Sequence, residues 1–452
     1  MLDDTIAAIS TPIGDGGIGI VRLSGPDAIG IVEQIFEATG GSALADSPSH
    51  RLHYGRIVHD GRPIDEALVS VMRAPRTYTR EDVVEINCHG GIVASRSILD
   101  AVLAGGARLA ERGEFTQRAF LNGRISLDQA KAVLDVVRAQ TALGLEAAVD
   151  RLGGRFSGAI RGIREALAEV LAGIEVEIDF PDLDVEVDEA SAAVAGLLSR
   201  VSDLLGRAEQ GRILREGLTV AIVGRPNVGK STLLNALLAE DRAIVTPIPG
   251  TTRDTIEEVA AIGGVPVRLI DTAGWREPGD PVEAEGVRKT ERAVARADLA
   301  LLTIDASEPL TDEDRRLIAR EWEIPVVIVV NKIDLPERLE DVPVGPWAAT
   351  VRLSAQGGKN LEALRTALLD LLLGGRIPAR ISVLTLDQWE RDLLRRMNDE
   401  LTGASSAMAD GSPPDMVAEE LRRAYRTAGE LQGIDVAESI LDAVFARFCV
   451  GK

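Results

Sequence analysis

The chain has 452 residues and a formal net charge of −21, with 45% hydrophobic and 27% charged residues. This length suffices for several domains with their own cores, and the composition is too apolar for a disordered protein. The acidic balance disfavours indiscriminate binding to nucleic acid, which needs clustered Lys or Arg. The two cysteines, Cys88 and Cys449, lie far apart, so a disulfide framework is not expected. Without a signal peptide or a long apolar run, the sequence predicts a cytoplasmic protein that does not enter a membrane.

The first 120 residues combine short β-like runs with a helical stretch. Apolar and β-branched runs occupy 18–23, 67–72 and 83–86, and helical spacing occupies 91–103. We therefore expect an α+β domain at 1–120.

Helices are predicted on both sides of a later β-rich block. Apolar residues recur at helical spacing at 122–173 and 190–214, and again at 384–401 and from 416 onward. A polar Gly/Ser/Pro stretch at 403–414 predicts a loop between the last two helices.

The block between these helices contains strand-like apolar runs separated by helix-length segments. The runs are 218–223, 265–270, 299–304 and 324–330. A mainly parallel sheet requires this alternation. The expected fold class is therefore multidomain α/β and α: an N-terminal α+β domain, 1–120, precedes a helical domain in two parts, 121–215 and 376–452, interrupted by an α/β domain at 216–375.

A phosphate-binding motif directly follows the first of these strands. Residues 224–231 read GRPNVGKS, in which the glycines let backbone N–H groups surround phosphates. Lys230 can reach the β and γ phosphates, and the Ser231 hydroxyl can bind Mg²⁺. The strand and helix context disfavours a chance glycine-rich turn. The predicted nucleotide contacts here are Asn227, Val228, Gly229, Lys230, Ser231 and Thr232.

Later motifs specify a guanine nucleotide. Asp334, in the run NKID, can accept hydrogen bonds from the N1 and N2 groups of guanine, a donor pair that adenine lacks. Leaving such a carboxylate unpaired is costly, so this residue can discriminate between the bases. The motif order is typical of translation-factor-related GTPases. The predicted contacts are Asp271, Thr272, Ala273, Gly274, Asn331, Lys332, Asp334, Ser354 and Ala355.

A switch-like loop, TPIPGTTRD at 246–254, lies between the first two motifs. Its Thr252 is the candidate for a second Mg²⁺ hydroxyl ligand, beside Ser231. Position 275 is Trp275, where a Ras-type GTPase carries the glutamine that orients the attacking water. An indole cannot do this, so another group must stabilise the transition state, and the sequence offers Asn227 and Glu283.

These motifs, with the terminal FCVGK at 448–452, resemble the MnmE (TrmE) family of tRNA modification GTPases along the whole chain. The resemblance implies a Ras-like G domain inserted into a helical domain, behind an N-terminal folate-binding dimerisation domain. It implies a homodimeric, potassium-dependent GTPase that forms a heterotetramer with the FAD-dependent protein MnmG. The implied reaction is an aminomethyl-type modification at C5 of the tRNA wobble uridine. The implied cofactors are GTP, Mg²⁺, K⁺ and 5-formyltetrahydrofolate.

The resemblance also implies roles for single residues. Glu283 orients the attacking water through a second water, and Cys449 is required for the modification, either near the folate or in the reaction itself. The implied folate contacts are Arg22, Glu85 and Arg124, which the bare sequence would assign to ordinary surface charges or ion pairs. The implied potassium ligands are Asn227, Thr246, Ile248 and Thr251, and the loop's GTP contacts are Thr246, Thr251 and Thr252.

Several alternatives stay open at this point. A ribosome-assembly GTPase could share every nucleotide motif, and a non-hydrolysing scaffold could bind GTP as a structural ligand. Cys88 and His89 could suggest a metal or nucleophilic site, but two further ligands are missing, which favours a structural pair. C-terminal arginines are read as solvated helix faces, with a tRNA-binding patch as the alternative. They are Arg391, Arg395, Arg396, Arg422, Arg423 and Arg426.

Overall fold

The computed structural model describes residues 3–41, 43–180, 187–241, 257–271, 291–339, 342, 345–373, 383–434 and 436–452. The chain forms two compact units. The first contains Met1–Leu134, Leu152–Ala172 and Leu421–Lys452, and the second contains Asp135–Arg151 and Gly173–Glu420. None of the described helices combines the length and the apolar character that crossing a membrane would require.

The first unit contains a mixed sheet with the strand order β3-β4-β5-β6-β2-β1-β7 in the described residues. Strands β1 and β7 are parallel, and the other neighbours are antiparallel. On β6, Val84, Ile86 and Cys88 are buried in the core formed with α1 and α2, so Glu85 lies on the opposite face. Arg22 of β2 lies opposite Glu85 in the register, which brings these two predicted folate residues together. The elements are β1 (Ile6–Ile9), β2 (Gly16–Ser24), α1 (Ala28–Glu33), β3 (Phe36–Ala38), β4 (Arg51–His59), β5 (Arg62–Met72), β6 (Val83–Gly90), α2 (Ile92–Ala104) and β7 (Arg108–Leu109).

Helices follow this sheet, as the periodicity predicted. They are α3 (Glu114–Leu121), α4 (Leu127–Arg138), α5 (Ala142–Leu152), α6 (Arg155–Asp179) and α7 (Val187–Glu216).

The second unit contains a sheet with the order β13-β12-β11-β8-β10-β9 among the described strands. All neighbours are parallel except β9 and β10. Strands β11 and β12 are buried at every position, because apolar clusters cover both faces of the sheet. The elements are β8 (Leu218–Val223), α8 (Lys230–Asp241), β9 (Glu257–Ile262), β10 (Val265–Asp271), β11 (Leu299–Asp305), α9 (Asp312–Ala319), β12 (Val326–Asn331), β13 (Ala349–Arg352) and α10 (Leu361–Leu373).

The chain then becomes helical again, with α11 (Gln388–Ala409), α12 (Pro414–Gln432) and α13 (Glu438–Phe445). The mixed architecture confirms the predicted fold class. The predicted loop at 403–414 is wrong for 403–409, where the helix continues because Leu401 and Ala404 are buried at helical spacing. The turn itself centres on Gly411, which has a φ of 65°. A Cβ added at Gly411 would meet no neighbouring atom of the described structure within 4 Å. The helical character predicted from 416 to the end of the chain holds through 432 and again in α13, but it is wrong for 446–452. Gly433, with a φ of 84°, follows the end of α12.

The turn between β9 and β10 is closed by neighbouring side chains. Gly264 has a φ of 82°, and a Cβ there would lie 2.4 Å from Leu143 Cδ1 of α5. A Cβ on Gly263 would lie 2.6 Å from Leu369 Cδ1 of α10. Both positions of this turn therefore require glycine.

A buried ion cluster lies among α4, α5, α7 and α11. Arg151 is 1% exposed, and its guanidinium donates to Asp135 at 2.9 Å, to Glu390 at 2.6 Å and to the Thr385 carbonyl. Arg215 donates to the other oxygen of Asp135 at 3.0 Å. Each buried charge therefore has an opposite partner.

The solvated reading of the C-terminal arginines is wrong for Arg391, which is 2% exposed. Its guanidinium donates to Glu216 at 3.1 Å, to Gln388 at 2.8 Å and to the Leu386 carbonyl. These acceptors offset the cost of burying the charge. The remaining members are exposed, as predicted: Arg395, Arg396, Arg422, Arg423 and Arg426.

Candidate functional site

The phosphate-binding motif forms the loop between β8 and α8. Gly224 and Gly229 have φ values of 153° and 94°. A Cβ on Gly224 would lie 2.5 Å from the Thr303 carbonyl oxygen, and one on Gly229 would lie 2.4 Å from Asn331 Nδ2. The loop therefore reaches its shape only with glycine at both positions, which leaves its backbone open to a phosphate chain.

Lys230 and Ser231 begin α8 beside the end of β10. Lys230 is 8% exposed, and its Nζ donates to the carbonyl oxygens of Gly224 at 3.1 Å and Arg225 at 2.9 Å. Burial lowers the pKa of this amine, and the charge of Asp271 partly opposes the shift. Ser231 Oγ donates to Asp271 Oδ2 at 2.7 Å, whereas the buried Asp271 Oδ1 has no hydrogen-bond partner among the described residues. Such converging hydroxyl and carboxylate oxygens suit a hard cation such as Mg²⁺.

Asn331 joins the base-recognition motifs to the phosphate loop. Its side chain is 2% exposed, and Nδ2 donates to the Val228 carbonyl at 2.9 Å. Its Oδ1 accepts from the Ala355 amide at 2.9 Å. Three separate stretches of the chain are thereby connected through one amide. Ser354 is buried beside Ala355, and Asp334 is exposed.

Lys332 makes a second connection. Its Nζ donates to the Asn227 carbonyl at 2.8 Å and to Asp305 Oδ2 at 2.6 Å. Burial opposes the ionisation of Asp305, but the hydrogen bonds from Lys332 and Ser307 together lower its pKa. Sequence reasoning missed Asp305, although an acid at the end of a continuous apolar strand was a signal for it.

Arg225 was also missed as an anchor of the phosphate loop. Its guanidinium donates to Glu308 at 2.6 Å and to Asp314 at 3.1 Å. Asp314 is 2% exposed and belongs to the capping box of α9 with Thr311. The position of Arg225 inside the phosphate-binding motif could have indicated this role.

The predicted folate residues lie in the first unit. Arg22 Nε donates to Glu85 Oε1 at 2.7 Å, and its Nη2 lies 2.7 Å from the same oxygen. The Arg22 guanidinium also lies 5.7 Å from the Phe115 ring centroid. Arg124 is exposed, and its guanidinium lies 4.8 Å from the Tyr78 ring centroid. Tyr78 packs against a small apolar cluster that contains Phe115, so the two rings under these cations belong to neighbouring parts of one core.

The second carboxylate oxygen of Glu85, Oε2, is a hydrogen-bond acceptor that fits a folate. Both Arg22 contacts use Oε1 of Glu85, and Oε2 has no partner within the described part of the chain. A carboxylate oxygen of this kind can accept from a pterin amino group, and guanidinium donors suit folate carbonyls and carboxylates.

The C-terminal segment also lies beside Arg22. The Cys449 carbonyl accepts from the Gly113 amide at 3.3 Å, and the cysteine itself is exposed. The Gly451 carbonyl accepts from Ser10 Oγ at 3.1 Å and from Arg22 Nη1 at 3.4 Å. The structure thus brings the segment of Cys449 to Arg22. Sequence reasoning had left this proximity open and had missed Gly451 and Ser10.

Cys88 and His89 lie on opposite faces of β6. Burial raises the pKa of the Cys88 thiol, which donates to the Gly19 carbonyl at 3.4 Å. The His89 ring contacts Asp65 through Nδ1 at 2.7 Å. No group of three or more His, Cys, Asp or Glu side chains suited to a metal ion occurs in the described ranges.

We expect the His89 imidazole to titrate above its ordinary pKa, because hydrogen bonding to Asp65 stabilises the cation. The pair contributes its full stability below the unfolded pKa and loses it as the pH rises through the higher folded pKa. An NMR titration of the ring should show the raised value, and Asp65→Asn should return it toward about 6.5.

Glu66→Gln is the matched control for this titration. It removes a neighbouring carboxylate that accepts a hydrogen bond from the Tyr54 hydroxyl and makes none with His89, so it should change the His89 pKa much less. An imidazole unaffected by Asp65→Asn would contradict the assignment.

Part of the predicted site lies outside the described residues. This part comprises Thr246, Ile248, Thr251, Thr252, Thr272, Ala273, Gly274, Trp275 and Glu283. Their predicted roles stay predictions.

Two family models match the chain: the MnmE helical domain at residues 127–449 and the N-terminus of the GTP-binding protein TrmE at residues 5–124. The tRNA modification GTPase MnmE of Geobacillus thermodenitrificans is 49% identical over 462 residues, covering 99% of this chain and 99% of the relative. MnmE of Chloroflexus aurantiacus is 49% identical over 459 residues, covering 100% of both chains. A crystal structure of Aquifex aeolicus Era bound to GDP·AlF4⁻ shares 29% sequence identity, with a match that covers 40% of this chain and 66% of that chain and a TM-score of 0.28.

The match extends beyond the nucleotide motifs to both ends of the chain. A ribosome-assembly GTPase or a non-hydrolysing scaffold would account for the phosphate loop and its neighbours, but not for full-length relatives that are nearly half identical. In addition, the family model of the MnmE helical domain matches most of the sequence. This chain belongs to the MnmE family of tRNA modification GTPases.

Proposed function

We propose that this GTPase hydrolyses GTP in a potassium-dependent manner. We further propose that, with an FAD-dependent partner, it forms an aminomethyl-type group at C5 of the tRNA wobble uridine. The observation that carries the proposal is the connection of the GTP motifs through Asn331 and Lys332. In the sequence, Trp275 stands where a Ras-type GTPase has its catalytic glutamine. A GTPase of this kind needs another source of positive charge or water orientation.

The nucleotide site divides the work among its residues. The phosphate-loop backbone and Lys230 bind and orient the phosphates, and Asp334 selects guanine. Ser231 and Thr252 would hold Mg²⁺, with Asp271 acting through water. When bound, Mg²⁺ neutralises charge on the β and γ phosphates.

In place of an arginine finger, Asn227, Thr246, Ile248 and Thr251 would hold a potassium ion, and Glu283 would orient the attacking water. When bound beside the phosphates, a monovalent cation offsets charge that develops during hydrolysis. Asn227 has a φ of 63°, and its carbonyl accepts from Lys332, which fixes the residue at the phosphate loop.

The folate site consists of Arg22, Glu85 and Arg124 and binds 5-formyltetrahydrofolate, which supplies the one-carbon unit. The Arg22–Glu85 pair is about three-quarters buried, with 23% of each side chain exposed, so its hydrogen bonds to a ligand are partly shielded from water. Cys449 serves the modification from the terminal segment beside Arg22.

The assembly is a cytoplasmic homodimer that joins MnmG in a heterotetramer and acts on tRNA. Residues 1–120 form the folate-binding and dimerisation domain, and 216–375 form the G domain. Residues 121–215 and 376–452 form the interrupted helical domain. The family assignment and the mixed fold support this organisation.

We expect GTP turnover to be much faster in potassium than in sodium at equal ionic strength, with Mg²⁺ in both buffers. Asn227→Ala should abolish the stimulation, since removing one stabiliser of transition-state charge costs about 10²- to 10³-fold in rate. Purified full-length protein and a phosphate-release assay suffice for the measurement.

Asn360→Ala is the matched control. Asn360 also has a left-handed backbone, with a φ of 61°, and its exposed side chain donates a hydrogen bond to the Arg352 carbonyl. Equal turnover of the unmodified protein in the two cations would show that the potassium mechanism is wrong.

A further inference from the structure

The C-terminal tail, residues 448–452, is attached through its backbone. Val450 forms an antiparallel bridge with Arg112, and the Cys449 carbonyl accepts from the Gly113 amide at 3.3 Å. Phe448 is 1% exposed and anchors the start of the tail in an aromatic cluster with Phe445. None of these contacts uses the Cys449 thiol, so the path of the tail does not depend on it.

Gly451 packs tightly against the end of β1. Its φ is 92°, and a Cβ there would lie 2.4 Å from the Ile9 carbonyl oxygen and 3.0 Å from Ser10 Cα. Both neighbours are backbone atoms of or beside β1 and cannot rotate away. A side chain at 451 must therefore push the tail off the sheet.

The Gly451 carbonyl points at the candidate folate site. It accepts from Ser10 Oγ at 3.1 Å and from Arg22 Nη1 at 3.4 Å. Glu85 contacts Nε and Nη2 of the same guanidinium, so the carboxylate and the carbonyl hold Arg22 at different nitrogens. A guanidinium held at both places keeps one orientation, whereas a carboxylate alone would leave it freer to turn.

We propose that the Gly451 carbonyl orients Arg22 for folate binding, which makes Gly451 a positioning residue of the folate site. The proposal rests on the folate-binding function proposed above and assigns the tail a task separate from thiol chemistry. A guanidinium has five N–H donors, and the contacts with Glu85 and Gly451 occupy three nitrogens while leaving hydrogens on Nη1 and Nη2 for the ligand. Fixing their direction before binding removes an ordering cost from the binding step.

The test is the affinity of the full-length protein for 5-formyltetrahydrofolate, measured by isothermal titration calorimetry. Gly451→Ala should weaken binding about tenfold, the effect of losing one hydrogen bond to a charged group. Arg22→Gln should weaken it at least as much. The double variant should bind no more weakly than Arg22→Gln alone, because Gly451 acts through Arg22.

Two matched controls accompany the cycle. Val450→Ala shortens an exposed side chain of the same tail and keeps the backbone bridge. Gly411→Ala puts a side chain on another left-handed glycine, one with open space around it. Both should retain the affinity of the unmodified protein.

Ser10→Ala provides a second variant without steric pressure. It removes one of the two donors to the Gly451 carbonyl and should weaken folate binding about threefold, even if Gly451→Ala fails to fold. Unchanged affinity in Gly451→Ala and Ser10→Ala, or additive losses in the Arg22 cycle, would overturn the proposal. If the unmodified protein does not bind 5-formyltetrahydrofolate, the folate function itself is wrong.

Discussion

Replacing Arg151 with methionine should destabilise the second unit by about 3–5 kcal/mol, the cost of breaking a buried ion pair from one side. The side chain is 1% exposed and contacts Asp135, Glu390 and the Thr385 carbonyl. Methionine fills much of the volume but leaves the two carboxylates with one partner fewer. Arg215 still donates to Asp135, so the loss of Arg151 affects Glu390 more than Asp135.

Tryptophan fluorescence during urea unfolding measures this effect selectively. The chain has four tryptophans, Trp275, Trp322, Trp347 and Trp389, and all lie within the sequence range of the second unit. The Arg151→Met variant should unfold at a markedly lower urea concentration, and the folate binding proposed for the first unit provides an independent readout.

Arg395→Met is the control for this experiment. Arg395 also contacts two acids, Glu209 and Asp392, but its side chain is 47% exposed. Its loss should cost about 0–1 kcal/mol, as for other surface ion pairs. Equal destabilisation by the two substitutions would show that burial of the Arg151 cluster does not determine its contribution.

Replacing Asn331 with alanine should lower the affinity for GTP by about 10- to 100-fold, since each buried group left without its partner costs about 1–3 kcal/mol. The side chain is 2% exposed and connects the Val228 carbonyl to the Ala355 amide. Alanine leaves both backbone groups unpaired. The phosphate loop and the base-contacting loop then lose their shared support, so the two halves of the site bind one nucleotide less well.

Equilibrium titration with a fluorescent GTP analogue measures this affinity directly. Asn398→Ala is a suitable comparison, because Asn398 accepts a surface hydrogen bond from Ser202 on helices away from the motifs. That variant should bind GTP normally. An Asn331→Ala protein with unchanged affinity would mean that Lys332 and the glycine contacts alone hold the motifs together.

The α/β sheet was predictable because its strands are continuous apolar runs. Strands buried on both faces, such as β11 and β12, carry that signature locally, and parallel strands place their following motifs at one edge. The neighbourhood of the phosphate loop, Asp271 and Asn331 was therefore accessible from sequence order. The helical continuation through 403–409 was not, because Gly and Ser there suggest a loop and the packing of Ala404 decides otherwise.

Contacts between distant residues were not predictable. Arg391 donates to Glu216, which lies 175 positions away in the sequence, and nothing near either residue in the sequence indicates the pairing. The approach of Gly451 to Ser10 spans 441 positions. Such pairs depend on how the elements pack, whereas periodicity reports on one element at a time. The resemblance to a family supplied the predicted folate residues, and the backbone register places two of them, Arg22 and Glu85, opposite each other.

The two glycine turns of the second unit set different limits on how this chain can vary in length. The β9–β10 turn is enclosed by Leu143 and Leu369, so extra residues in this turn would have to displace the side chains that cover it. Gly411, between α11 and α12, meets no neighbouring side chain within 4 Å in the described structure. Extra residues at such an open turn disturb no core and add little loop-closure entropy. Over evolution, and in the choice of a place for a reporter, this unit can lengthen at the α11–α12 turn while the β9–β10 turn keeps its length.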